Sequence, residues 1–151
     1  MNELENYLQL FARFLANSND APIEIIMNNG NSFHWWVIKE EGVITGVKVD
    51  NLGDKPFLSL HVFNLVINFL YKDVNKTRQF GNALNFKLGE GLASDSIEGY
   101  IGSMVYGYEI GDWVFRRIIP IKYILQNSGI CNFQHGDGLL SLVPNYIINK
   151  I

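Results

Sequence analysis

The stretch that decides the fold is YILQNSGICNFQHGDGLLSLV, residues 123–143. Its apolar first part ends at Gly129, and glycine suits the left-handed position that follows a helix. Two short apolar runs, residues 130–133 and 139–143, then flank QHGDG. The two glycines of QHGDG favour the positive φ angles of a tight turn. The stretch therefore predicts a helix over residues 120–128, followed by a β-hairpin.

Two further helices are predicted before this stretch. Residues 57–73 begin with an alternation that fits a strand, but their length favours a helix with one polar stripe, formed by His61, Asn64, Asn68 and Lys72. The segment SDSIEGYIGSMVYGY keeps helical spacing and predicts a helix over residues 95–108, with a possible short strand before it at residues 83–88. Asp95 and Glu98 have the spacing of a capping box. We expect its two glycines, Gly99 and Gly102, to admit a close neighbour.

The N-terminal part of the chain shows two other patterns. Apolar residues recur at helical spacing near the start and predict one amphipathic helix: Leu4, Tyr7, Leu8, Phe11, Phe14 and Leu15. The runs IEIIM, FHWWVIKE and VITGVKV follow, separated by NNGN and EG. Asn-Gly between such runs is typical of a hairpin, so we expect a three-stranded antiparallel meander over residues 23–49.

From residue 57 onwards the predicted order is helix, short strand, helix, turn, helix, strand, glycine-rich turn and strand. With the pattern IL…SGI……GDGLLSLV, this order resembles the winged-helix superfamily over residues 57–143. The resemblance implies that the third helix is a recognition helix and that the hairpin is the wing. The predicted fold is therefore α+β, a single compact domain over residues 1–151. In it, the helix and meander of residues 1–50 pack on the winged-helix-like half.

Charge is distributed unevenly along the chain. The 151 residues are 48% hydrophobic and 18% charged with a net charge of −3, which excludes a disordered chain and does not by itself indicate nucleic acid or an anionic membrane. Residues 1–75 hold nine acidic and five basic residues, whereas residues 76–151 hold six acidic and seven basic residues. No acidic residue lies between Asp112 and Asp137. The predicted third helix thus lies in a locally basic segment.

That segment supplies the candidate DNA contacts. Phosphates bind cationic side chains, and base edges are read by a few polar side chains on a recognition helix. The candidates for both tasks are Arg116, Arg117, Lys122, Gln126 and Asn127. The alternative is that the two arginines are a solvated or salt-bridged helix end. Trp36 is a further candidate, as a platform on which a nucleobase or peptide stacks.

Motifs for catalysis and metal binding are missing. None of the eight lysines follows an acidic residue at the spacing of restriction-type nucleases, and GxxxxGK, HExxH and GxGxxG do not occur. Cys131 and His135 are too few for zinc, which takes three or four ligands. We expect Cys131 to be buried and unligated, and we expect no metal and no cofactor. The sequence thus favours a protein without catalytic activity, and leaves open a small enzyme whose site is assembled from distant residues.

Two leading functions follow. The first is a noncatalytic DNA-binding or DNA-targeting module whose partner is duplex DNA. The alternative is a protein-interaction module, such as a small regulator or an immunity-type inhibitor, whose partner is a protein. The N-terminus lacks a signal-peptide pattern, and the apolar residues 57–74 are too short and too polar to span a bilayer. With a single cysteine in the chain, we expect a cytoplasmic protein without a membrane partner.

Overall fold

The computed structural model describes residues 2–18 and 21–148, so the ends of the predicted domain and residues 19–20 lie outside the described part. The described residues form an α+β fold, which confirms the predicted class. The helices are α1 (Glu3–Ala16), α2 (Leu60–Lys72), α3 (Ile97–Met104), α4 (Ile118–Asn127) and α5 (Asn145–Ile148). The strands are β1 (Ile23–Ile26), β2 (Ser32–Glu40), β3 (Val43–Val49), β4 (Phe57–Ser59), β5 (Thr77–Gln79), β6 (Lys87–Leu88), β7 (Gly91–Leu92), β8 (Cys131–Asn132) and β9 (Leu139–Leu142).

The N-terminal sheet has the strand order β1-β2-β3-β4, with every pair antiparallel. The predicted meander is confirmed, but the sheet has a fourth strand, because residues 57–59 pair with the free edge of β3. The predicted helix over residues 57–73 is therefore wrong at its start. It begins at Leu60, and the Ser59 hydroxyl caps it by accepting a hydrogen bond from the Val62 N–H at 3.2 Å. Pairing gives backbone groups along the edge of β3 their hydrogen-bond partners, and β4 becomes the new edge strand.

The core lies between the inner face of this sheet and the helices. Trp35 and its neighbours on the inner face pack against α1, which is confirmed as an amphipathic helix burying Tyr7, Phe11 and Leu15. The ring of Phe11 lies 5.1 Å from that of Phe63 on α2. One continuous cluster of buried side chains draws on α1, the sheet, α2, α3, α4 and the C-terminal hairpin. The helix and sheet of the N-terminal half thus share one hydrophobic core with the C-terminal helices and hairpin.

Helix α3 is shorter than the sequence pattern predicts. Its N-cap is Ser96 rather than Asp95, and the Ser96 hydroxyl accepts from the Gly99 N–H at 3.1 Å. The helix ends at Met104 rather than at residue 108, since the chain turns through Gly107 with a φ of +73°. Glu98 does not complete a capping box, because its carboxylate is directed into the core, where it accepts from the Arg117 N–H.

The C-terminal hairpin forms as predicted. Strands β8 and β9 pair antiparallel, with Cys131 opposite Leu142, and β5 joins them to give the order β5-β9-β8. The strand predicted over residues 83–88 is reduced to β6, which pairs parallel with β7. His135 and Asp137 lie exposed in the turn, where Asp137 Oδ1 accepts from the Leu139 N–H at 3.0 Å. The turn is thus held by an Asx-type contact.

Cys131 is expected to be unreactive in the folded protein. It is 1% exposed, and burial raises the pKa of its thiol far above the usual range. A chromogenic disulfide reagent should therefore release no signal from the native protein and one equivalent after unfolding in denaturant. Rapid reaction of the native protein would contradict the burial of this thiol.

Candidate functional site

A pocket of about 770 Å³ lies where α4, the hairpin turn and loops of the N-terminal sheet meet. Its volume is within the range of small-molecule sites. The residues that line it are Met27, Asn28, Asn29, Asn51, Leu52, Gly53, Phe80, Ala83, Leu84, Val114, Phe115, Arg116, Ile119, Lys122, Tyr123, Phe133, Gln134, His135 and Gly136. Among these described lining residues there is no Asp or Glu, and two are Lys or Arg. The pocket therefore favours an anionic ligand.

Glu98 holds the start of α4, and with it one wall of the pocket. The backbone N–H of Arg117 donates to both Glu98 carboxylate oxygens, at 3.0 and 3.1 Å. Glu98 is 0% exposed, and burial raises the pKa of its carboxyl to about 7, although the Arg117 hydrogen bond and charge act in the opposite direction. A carboxylate at this position also complements the N-terminal end of the α4 dipole.

Arg117 packs inside the fold. It is 5% exposed, and its guanidinium lies over the ring of Tyr106, 3.5 Å from the centroid, and 4.9 Å from that of Phe115. Its Nη1 donates to the Phe115 carbonyl at 3.2 Å. A phosphate in solvent does not reach a guanidinium held in this way, so Arg117 is not part of the candidate site.

Arg116 and Lys122 are the two cations of the pocket. Arg116 is exposed and Lys122 is half-buried. Burial and the nearby charge of Arg116 lower the pKa of Lys122. Two ion pairs within residues 2–18 and 21–148 join His34 to Glu24 and to Asp50. Within these described residues neither pocket cation forms an ion pair with a carboxylate, although the charge of Arg116 acts on buried Glu98.

Aromatic rings form the apolar walls. The ammonium of Lys122 lies 4.4 Å from the ring centroid of Phe80, 4.8 Å from that of Phe133 and 5.4 Å from that of Tyr123. The hydroxyl of Tyr123 accepts from the Asn28 N–H at 2.9 Å, which ties the β1–β2 turn to α4. This bond explains how the N-terminal sheet comes to form part of the pocket wall.

The remaining predicted residues lie outside the pocket. Gln126 and Asn127 are exposed at the end of α4, and Gln126 shares the helix face of Lys122. Trp36 lies on the outer face of the sheet, where the Lys48 ammonium is 5.4 Å from its ring centroid. Arg116 and Lys122 therefore line the same pocket, whereas Trp36 lies on a different surface of the protein.

Sequence reasoning did not identify the aromatic part of the site. Phe80, Phe115 and Phe133 come from three separate loops and strands, and no spacing rule connects them. The only signal available was the acid-free basic segment, which identified Arg116 and Lys122. His135 lines the pocket as part of the hairpin turn, a contact that its turn assignment did not predict.

Neither a metal-binding cluster in the described residues nor a similar known protein indicates what the protein does. Within the described residues, no three His, Cys, Asp or Glu side chains are grouped as a metal would require, and no helix has the length and apolarity to cross a bilayer. No family model, curated protein or solved structure matches the chain. Function is therefore inferred from the chemistry of the pocket.

Proposed function

We propose that the protein is a noncatalytic DNA-binding module of the cytoplasm. Arg116 and Lys122 contact phosphates, and Gln126 and Asn127, at the C-terminal end of α4 outside the pocket, are the candidates for base contacts. The observation that carries the proposal is the pocket beside α4, which has two cations and no carboxylate in its lining. The element order supports it, because α2, α3, α4 and the hairpin of β8 and β9 follow one another as in the winged-helix resemblance, with β5, β6 and β7 in place of its one short strand.

The electrostatics favour phosphate over a neutral ligand. The ammonium of Lys122 is partly removed from water and stands near a second positive charge, a costly arrangement without an anion. A phosphate oxygen between Arg116 and Lys122 relieves both costs. Cations that converge on a pocket without a carboxylate in its lining are typical of binding sites.

Arg116→Ala and Lys122→Ala are each expected to weaken DNA binding about five- to tenfold at low salt, since each removes a phosphate contact. The slope of log affinity against log salt should also become flatter by about 0.9 per contact for duplex DNA. Fluorescence anisotropy of a labelled duplex over a salt series measures both quantities. Arg13→Ala and Lys72→Ala are the charge-matched controls, because both side chains are exposed and neither lines the pocket.

The controls decide whether the site is correctly placed. Equal losses in Arg116→Ala and Arg13→Ala would indicate a general charge effect and refute the site. Absence of binding to any DNA by the parent protein at low salt would refute the function itself.

A protein-interaction module is the second candidate, and the outer face of the sheet favours it. Trp36, Lys48 and Phe57 are neighbours across β2, β3 and β4 on that face. Phe57 is 47% exposed and Ile26, on β1, is 70% exposed. Ile26 lies farther along this face, opposite Ser32, and exposed apolar side chains on a sheet face are typical of protein interfaces. A parent protein that does not bind DNA would favour this function.

A further inference from the structure

We infer that the pocket holds one unstacked nucleotide, with the nucleobase against the aromatic walls and its phosphate between Arg116 and Lys122. The inference rests on the proposed function and goes further, because it assigns the pocket to a single-stranded or extruded nucleotide rather than to the groove of a duplex.

The exposure of α4 is the first reason. Most of the helix is buried, including Ile118, Pro120, Ile121, Tyr123, Ile124 and Leu125. Before the helix end, the accessible positions are Ile119, Lys122 and Gln126, which form one narrow stripe at helical spacing. A helix that enters the major groove, which is about 12 Å wide, must present its own width of about 10 Å to the DNA. The stripe alone does not provide such a surface.

The N-terminal sheet is the second reason. Residues 27–29 and 51–53 line the same pocket as Ile119 and Lys122, so two loops of the sheet stand beside the stripe. The Asn28–Tyr123 hydrogen bond, at 2.9 Å, fixes one of these loops to the helix. A narrow stripe bordered by two loops suits a single nucleotide better than a rigid duplex.

The chemistry of the walls suits a nucleotide in all its parts. Phe80 and Phe115 are half-buried and supply aromatic surface for a base, whereas Phe133 is buried behind them. Side-chain amides also line the pocket, at Asn28, Asn29, Asn51 and Gln134. Amides both donate and accept hydrogen bonds, as the edges of bases require. The aromatic rings thus match the base, the amides match its polar edges, and the two cations match the phosphate.

A third cation extends the site toward a neighbouring phosphate. The ammonium of Lys55 lies 5.7 Å from the ring centroid of Phe115, beside the wall that also carries Arg116. Lys55 is exposed and lies outside the lining of the pocket. Its position suits the next phosphate of a strand whose unstacked nucleotide occupies the pocket.

The ligand chemistry that matches the pocket is a nucleoside monophosphate unit. This unit can come from a free nucleotide or from a nucleotide within a strand, and the experiment separates these sources. The probes are a labelled single-stranded DNA, its duplex of equal length, the same strand with abasic sites throughout its central part, and free deoxynucleoside monophosphates as competitors.

The parent protein is expected to bind the single strand about tenfold more tightly than the abasic strand, since one stacked base contributes about that factor. The duplex should bind more weakly than the single strand. Phe115→Leu keeps apolar volume but removes the aromatic face. It should remove most of the preference for the base-containing strand, while leaving abasic binding and the salt slope unchanged. Phe57→Leu, on the outer face of the sheet, is the matched control.

The outcomes separate the two proposals. Equal affinity of the parent protein for the abasic and the base-containing strand, with tight duplex binding, would refute the nucleotide pocket and leave the DNA function standing. Binding of free monophosphates without binding of any strand would support the pocket and refute the DNA function. Binding of none of the probes refutes both. The abasic comparison uses the parent protein, so it does not depend on the folding of Phe115→Leu.

Discussion

Replacing Glu98 by Ala is expected, at about pH 4.5 where this side chain stabilises the fold most, to lower the free energy of unfolding by roughly 3 kcal/mol. Glu98 is 0% exposed, and its two carboxylate oxygens are the acceptors for the Arg117 N–H at 3.0 and 3.1 Å. Alanine leaves that buried N–H without an acceptor and opens a cavity between α3 and the start of α4. Urea unfolding followed by tryptophan fluorescence measures the change. A loss under about 1 kcal/mol would contradict this role of Glu98, because surface substitutions have effects of that size.

The pH dependence distinguishes a buried carboxyl from a merely well-packed side chain. Burial raises the pKa of Glu98 from its ordinary 4.5 to about 7. The unfolded chain therefore loses this proton near pH 4.5, whereas the folded protein keeps it until about pH 7. The contribution of Glu98 to the free energy of unfolding is therefore greatest below pH 4.5. It falls as the pH rises to about 7 and stays constant above that. The loss is about 3 kcal/mol at about 1.4 kcal/mol per pKa unit.

Glu98→Gln is the control for this titration, because an amide has a similar shape and does not ionise. The stability of Glu98→Gln relative to the parent protein should rise by about 3 kcal/mol between about pH 4.5 and about pH 8. All other ionisable groups are present in both proteins, so their contributions cancel in the difference. A difference that stays constant with pH would show that Glu98 has the same pKa in the folded and the unfolded protein, which contradicts the shift caused by burial.

The parts of the fold that sequence predicts are those determined by local pattern. The helix α1 and strands β1 to β3 follow from apolar spacing and from the NNGN and EG turns, since both act within a few residues. Strand β4 was missed because its formation depends on the free edge of β3, which is a tertiary property. Helix α3 was predicted too long because helical spacing continues to Tyr108, although the chain leaves the helix before Gly107.

In the candidate site, too, the residues marked by a local pattern could be predicted, and those brought together by tertiary packing could not. Arg116 and Lys122 were predicted because a local absence of acids marks a basic segment. The same pattern could not separate Arg116 from Arg117, since adjacent residues have the same charge and only packing decides which is buried. The aromatic walls were not predictable, because Phe80 and Phe133 meet only through the pairing of β5 and β8 with β9.

Gly99→Ala is expected to destabilise the protein by roughly 2–3 kcal/mol, which is opposite to its intrinsic helix propensity of about 1 kcal/mol in favour of Ala. A Cβ atom at this position would lie 2.0 Å from the backbone oxygen of Ala93 and 2.9 Å from its carbonyl carbon. The close neighbour anticipated for this glycine is thus a backbone group. Thermal or urea unfolding of the variant measures the effect.

Gly102→Ala is the matched control, because it lies one turn later on the same helix. Its Cβ would meet the two methyl groups of Val114 at 3.0 and 3.3 Å, and a side chain can shift by a few tenths of an ångström. The gain in helix propensity then offsets the contact, so the expected change is under about 1 kcal/mol in either direction.

The Ala93 carbonyl cannot move aside as Val114 can, because it is part of the α3 cap. Its oxygen accepts from the Ser96 hydroxyl at 2.6 Å and from the Ser96 N–H at 3.1 Å, and the Ser96 hydroxyl in turn accepts from the Gly99 N–H. Relief of the clash therefore breaks the cap or displaces the start of α3. Since Glu98 is the neighbouring residue, such a displacement also moves the carboxylate that holds α4. If Gly99→Ala proves as stable as Gly102→Ala, the turn before α3 is pliable and does not fix Glu98 in place.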